Sequence, residues 1–373
     1  MLSRKLEQIV GVALMLLFLG DIVLTVLYAR AGTGWLAPHW SRGVWASLRA
    51  AARRCGRHRG RVLSFGGPLI AVSLIGFWAL GLTVGAALVI QPELGAAIRP
   101  SNGDTPTDLI TALLVAGNSL SIVGGGEYAP HTAGTRILFL VNSLIGASVL
   151  SLVLSYLVQV YSTLRERNAL ALTIDLMTGG TGDAAEMLVR LGPEGDCGDA
   201  TTELSSLTRS LAATKEAHHF YPLLFYFRFE EPLYSVSRFS FVLLDLVTLI
   251  GTALDERRYG SLIRSGPVTS LRQCALLLLG TLDKNLPTAE DQAAEVAQPR
   301  YHGQSYAAAI ETFGRAGIVP RPDGKDRYVA ERREWERLVS RVAPTLGFGV
   351  EEIDRRRPPD SAARSERGVA DEA

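Results

Sequence analysis

The segment Ser119-Leu120-Ser121-Ile122-Val123-Gly124-Gly125-Gly126-Glu127 concentrates the chemistry of this chain. Glycines let successive carbonyls adopt conformations closed to other residues, so several oxygens can aim at one axis. Carbonyl oxygens around such an axis replace the water shell of a cation. The chemistry on offer is oxygen ligation of a cation, with Glu127 placed to concentrate cations just beyond. The plain alternative is a glycine-rich surface loop joining two helices.

What precedes the loop favours the first reading. Thr105 is suited to cap a helix N-terminus, Pro106 to the first helical position, and Asp108 to the third. The apolar run that follows, to Asn118, is about a dozen residues long, too short to span a bilayer and right for a re-entrant helix. The C-terminal end of such a helix adds partial negative charge beside the loop. Non-helical backbone at membrane depth persists only where it lines a wet cavity or is buried in protein.

Three longer apolar runs frame this segment: Ile9–Ala29, Pro68–Ile90 and Ile137–Tyr161. Each has the length of a spanning helix. Between the first two, Arg30, Arg42, Arg49, Arg53, Arg54, Arg57, Arg59 and Arg61 lie in a stretch without Asp or Glu. The positive-inside rule places that stretch in the cytoplasm. The N-terminus and the 93–135 segment are then outside and the chain after Tyr161 inside, a multi-pass arrangement in the cell membrane. Trp35, Trp40 and Trp45 among the arginines suit the inner interface. Arg4, Lys5 and the Ala29-Arg30-Ala31 site imitate a signal peptide, but the run between them is long and contains Asp21.

The order of span, short helix, Val123-Gly124, Gly126-Glu127, Pro130 and span resembles the potassium-channel pore domain, from about Pro68 to Tyr161. Ser119, Ser121, Val123, Gly124, Gly126, Glu127 and Pro130 fit the family pattern identically or conservatively. The first span with Asp21 and the basic loop is similar to bacterial three-span members of the wider ion-channel family. The resemblance implies a selectivity filter at Ile122, Val123, Gly124, Gly125 and Gly126, supported by Ser119, Ser121 and Glu127. It implies a homotetramer, since each chain supplies one pore loop, and a permeant monovalent cation, potassium by the family's habit. Two positions depart: Ile122 stands for the filter threonine and Gly125 for the filter tyrosine. Those departures put selectivity in doubt and open a second reading, a non-conducting channel-like scaffold or sensor.

Other residues carry weaker expectations. Asp21 lies mid-span, where an acid is costly and marks function or a hydrogen-bonded packing role. Gly146 in the third span suits a gating hinge or close helix packing. Ser151 and Ser155, one turn apart, suit a water-facing stripe.

The expected fold is an all-α membrane protein with three transmembrane helices, a re-entrant pore helix and filter loop, and a mostly helical cytoplasmic domain. Its parts are a first transmembrane helix (1–30), a basic cytoplasmic or interfacial loop (31–66), a pore domain (67–162), a helical cytoplasmic domain (163–350) and a disordered tail (351–373). In the cytoplasmic half, helices are expected from Arg165 to Leu191 with a break at Gly179–Gly182, then over Thr202–His219, Val236–Leu254, Pro267–Leu282, Tyr306–Gly317 and Ala330–Ala343, the last stopped by Pro344. Phe239–Ile250 is read as a buried core helix, the aromatic block Phe220–Phe229 as core packing, and His218 and His219 as surface or loop residues.

With 38 Lys and Arg against 37 Asp and Glu, the net charge of +1 gives no field for nucleic acid. Cys55, Cys197 and Cys274 form neither a zinc motif nor a disulfide framework. The sequence calls for no cofactor and no metal beyond the permeant cation, and shows no catalytic constellation, so enzyme chemistry is not expected.

Overall fold

The computed structural model describes residues 2–28, 34–55, 58–121, 126–285, 299–354 and 356. They divide into two compact units, Met1–Trp45 with Pro68–Tyr161, and Ala46–Gly67 with Ser162–Ala373. The fold is predominantly helical. Several helices are long and apolar enough to cross a membrane.

In chain order the first elements are α1 (Leu2–Val26), α2 (Ala37–Arg54), α3 (Arg59–Ser64), α4 (Gly66–Ile90), β1 (Ile98–Pro100), α5 (Leu109–Leu120), β2 (Tyr128–Pro130) and α6 (Ala133–Met177). The helices outrun the apolar segments that nucleate them. α1 begins at Leu2 rather than Ile9, because backbone hydrogen bonding does not stop where hydropathy does, and it has ended by Val26. Ala29 lies outside the described residues. α6 corrects the expectation more strongly: the third apolar run and the helix expected from Arg165 are one continuous 45-residue helix. No glycine or proline lies between Gly146 and Gly179 to interrupt it. It stops where Gly179 (φ 69°) and Gly180 (φ 78°) take left-handed conformations that other residues resist.

Within the first unit, α1 crosses α4 at a point set by two glycines. A Cβ on Gly11 would lie 2.6 Å from the Gly85 carbonyl oxygen. Small residues at such crossings let two backbones approach where no hydrophobic force drives helices together. Two apolar clusters follow along this pairing. One joins Met15, Ala86, Ala87 and Ile90 to Ala112, Val115 and Ala116 of α5. The other joins Phe18 and Ile22 to Leu74, Trp78, Leu82 and Val153.

The arginine-rich stretch, read as a loop, contains a helix. Along α2, Ala37, Ser41, Trp45 and Ala52 are buried while Arg42, Arg53 and Arg54 are exposed. This is the two-faced pattern of an interfacial helix. Trp40 stacks on Phe77 with centroids 4.3 Å apart and donates to the Ser73 hydroxyl at 3.2 Å.

The second unit adds α7 (Ala184–Leu191), α8 (Ala200–Phe220), α9 (Val236–Ala253), α10 (Glu256–Ile263), α11 (Gly266–Asn285), α12 (Pro299–Arg315), α13 (Gly324–Thr345) and α14 (Val350–Ile353). α9 has the length and hydropathy of a span, yet 94% of that window is buried within the protein. Its charged groups are paired in place: the Tyr328 hydroxyl donates to Asp245 at 2.6 Å and Arg238 meets Asp175 at 3.4 Å. α7, α11 and α13 pack around it as a core helix.

Three expectations for this half are corrected. His218 is fully buried within α8, not on a surface or in a loop; its Nδ1 lies 2.8 Å from the Thr214 carbonyl. α13 runs through Pro344 to Thr345; the proline has no N–H to give the Ser340 carbonyl, and the helix carries on only to the next residue. The chain past residue 351, read as disordered, still holds buried Ile353, and Asp354 pairs with Arg332. Arg356 pairs with Asp183 at 3.2 Å and with Asp245, so charge pairing extends the fold beyond its apolar pattern.

Candidate ion-conduction site

The site grows from α5. Its cap is Asp108, three residues later than the Thr105-Pro106 start expected from sequence. The Asp108 carboxylate accepts from the Thr111 hydroxyl at 2.6 Å and from the Thr111 backbone N–H at 3.4 Å. Asp108 therefore satisfies one of the free N–H groups of the first turn, which Thr105 sits too far upstream to reach. The Thr111 hydroxyl also holds the Asp108 carboxyl below the usual carboxylate range.

Twelve residues later the helix ends against α6. Ala112, Val115, Ala116 and Ser119 form its buried face. A Cβ added to Gly146 would stand 1.8 Å from the Leu120 carbonyl oxygen. Of the two roles considered for Gly146, close packing has this direct support: only hydrogen fits between the end of α5 and the α6 backbone.

Beside this contact Ser119 donates to the Ala116 carbonyl at 2.9 Å and accepts from the Asn142 side-chain amide at 3.0 Å. Asn142 is 1% exposed, and its Oδ1 has no partner among the described residues. Its spacing, one turn before Gly146 on the same face, was the available signal.

β1 and β2 clamp the two ends of the intervening segment. They pair antiparallel, with Ile98 opposite Pro130, Arg99 opposite Ala129 and Pro100 opposite Tyr128. The His131 N–H extends the clasp to the Ala97 carbonyl at 2.9 Å. Strands of three residues carry no readable alternation, so nothing in residue order marks them. A cleft of about 340 Å³ lies between the end of α5 and α6, lined among others by Asn118, Ser119, Ser121, Gly126, Phe139 and Ser143.

The expected filter residues Ile122, Val123, Gly124 and Gly125 lie outside the described residues. Gly126 and Glu127, at the end of that segment, are exposed. Ser121 is half-buried, and its N–H bonds the Gly117 carbonyl at 2.9 Å. Ser151 and Ser155 are both exposed in the single chain, on one side of α6. Ile137, Leu140, Leu144, Leu154 and Val158 of the same helix are also exposed.

Asp21 belongs to a different part of the unit. Its Oδ1 accepts from the Leu36 N–H at 2.7 Å, and its Oδ2 accepts from the Ala37 N–H at 3.2 Å and the Trp78 indole N–H at 2.8 Å. The buried acid caps α2 from a neighbouring helix and ties it to α4. This is the hydrogen-bonded packing role.

Among the described residues, no three His, Cys, Asp or Glu side chains gather as a metal site. Comparison of the chain with protein-family models, curated proteins and solved structures finds no match.

Proposed function

We propose that this protein is a tetrameric cation channel of the potassium-channel type, conducting through a carbonyl-lined filter of altered sequence at Ile122–Gly126. The observation that carries this reading is the capped twelve-residue α5, lodged between α4 and α6 and followed by a glycine-rich return. A short helix whose C-terminal carbonyls end beside a return segment offers partial negative charge to a cation. The exposed apolar face of α6 in a single chain supports burial against lipid and further copies. Four copies would gather the returns on one axis, with Glu127 in a ring outside them. In this reading the N-terminus is outside, the second unit is cytoplasmic, and potassium is the first candidate among monovalent cations. Ile122 and Gly125 are the positions at which selectivity differs from the family's.

The test is cation efflux from proteoliposomes loaded with potassium or sodium, together with the mass of the purified oligomer. Efflux above protein-free vesicles from a tetramer supports the proposal. A well-folded tetramer that releases neither ion would favour the scaffold or sensor reading that Ile122 and Gly125 raise.

A further inference from the structure

Among its described residues, the second unit buries two guanidinium groups that no carboxylate pairs. Arg167 of α6 is 2% exposed, and its Nη1 and Nη2 donate to the carbonyls of Leu224 at 3.3 Å and Phe227 at 3.1 Å. Arg228 is 8% exposed; it donates to the carbonyls of Gly60 at 2.7 Å and Gly347 at 3.2 Å, and its guanidinium lies 4.2 Å from the Phe348 ring centre. Among the described residues, the Nε of each is buried and unpartnered, as is Nε2 of His218. All three residues line one small cavity, together with Leu224, Phe225, Phe227, Phe229 and Phe348 among others.

Burying an ion without a counter-ion costs several kcal/mol, and backbone carbonyls offset only part of that. The acids that act on Arg228 from a distance, Glu230 and Glu352, are exposed and form no ion pair with it. Arg59 adds a further positive charge nearby. Among the described residues Arg167 forms no ion pair, and burial holds its guanidinium down to about 10. The cavity is about 10 Å³, the space of one water-sized sphere. Of the anions, a monoatomic ion makes the least demand on such a space.

We infer that this cavity is a chloride site, in which the Nε–H groups of Arg167 and Arg228 hold the anion and His218 takes up a proton when it binds. The proton follows from the hydrogen bonding. Thr214 offers only a carbonyl oxygen, so His218 Nδ1 must carry the hydrogen and Nε2 is a bare lone pair. A lone pair repels an anion, whereas Nε2–H donates to it. Without an anion, burial first and Arg167 second hold His218 down to about 3. An anion between the two arginines and the imidazole removes much of that opposition.

The experiment uses the full chain in detergent at fixed ionic strength, exchanging sodium gluconate for sodium chloride or sodium bromide. Its first reading is the melting temperature at pH 7.5 and pH 5.5. The expected result is a saturable rise in melting temperature with either halide, larger at pH 5.5 and absent in Arg228→Gln. Crystals soaked in bromide supply the second reading, an anomalous peak among Arg167, His218 and Arg228. That peak keeps the test decisive if Arg228→Gln does not fold. Identical melting in gluconate and halide with no anomalous peak would show that the cavity holds only water. A bromide peak that leaves melting unchanged would mark an adventitious ion only and equally overturn the site.

Discussion

Replacing Gly146 by alanine tests the contact that holds the end of α5. An alanine Cβ would sit 1.8 Å from the Leu120 carbonyl oxygen and 2.8 Å from its carbonyl carbon. An ordinary contact begins near 3.4 Å, so the two backbones must part by 3.4 − 1.8 = 1.6 Å along that line. The obstacle is backbone in a helix end, so no rotamer change relieves it. Overpacking of this kind costs about 1–3 kcal/mol. Alanine also recovers roughly 0.5–1 kcal/mol of helix propensity over glycine. Gly76 of α4 separates the two effects, because a Cβ there meets nothing within 4 Å. Gly76→Ala gains the propensity alone, so the two variants differ by the overpacking term of about 1–3 kcal/mol. The assay is denaturant unfolding in detergent, with hydrogen exchange read over Leu109–Leu120. Gly146→Ala should unfold at lower denaturant and exchange faster at the end of α5, while Gly76→Ala matches or exceeds the parent. Equal stability and equal exchange in the two variants would refute the close approach.

Asp21→Ala removes the acceptor from Leu36, Ala37 and Trp78 and leaves the buried N–H groups unpaired, at about 1–3 kcal/mol for each that water cannot reach; proteolysis near the start of α2 should accelerate, and an unchanged cleavage pattern would count against the cap. Ser119→Ala strands the Asn142 amide and should destabilise by about 1–3 kcal/mol, whereas adding Asn142→Leu should recover much of it, a coupling that a double-mutant unfolding cycle measures. In chloride-free buffer the buried His218 sets a pH dependence. Its folded pKa of about 3 lies below the unfolded value of 6.5, so its contribution is complete above 6.5 and is lost as pH falls towards 3. The slope is at most about 1.4 kcal/mol per pH unit, and His218→Gln should flatten the unfolding midpoint between pH 6.5 and 4. Asp108→Ala should release the cap of α5, seen as faster exchange in its first turn, while Thr105→Ala should leave that exchange unchanged.

Much of this fold was legible because hydropathy and helical periodicity are local signals. The long apolar runs, the short helix before the glycines and the buried character of Phe239–Ile250 all follow from residue order. What was not legible depends on partners distant in sequence. Asp21 was recognised as costly, but its role as a cap for α2 needed the return of the chain fifteen residues later. Gly146 was noted with two roles, and only the position of Leu120 distinguishes them. The Asp108 cap was missed because Thr105-Pro106 is the stronger local start signal, while the hydroxyl of Thr111 decides the matter. The ordering of Asp354 and Arg356 rests on charge pairing with Asp183, Asp245 and Arg332, which an apolar pattern cannot reveal.

The measurement that bears most directly on the proposed function is single-channel current from the purified protein in planar bilayers, under opposed potassium and sodium gradients. The proposal predicts discrete currents whose amplitude falls in Glu127→Gln and whose reversal potential shifts towards potassium in Ile122→Thr. Silence from a well-folded tetramer, with current restored only when Ile122→Thr and Gly125→Tyr are combined, would contradict conduction by the natural chain.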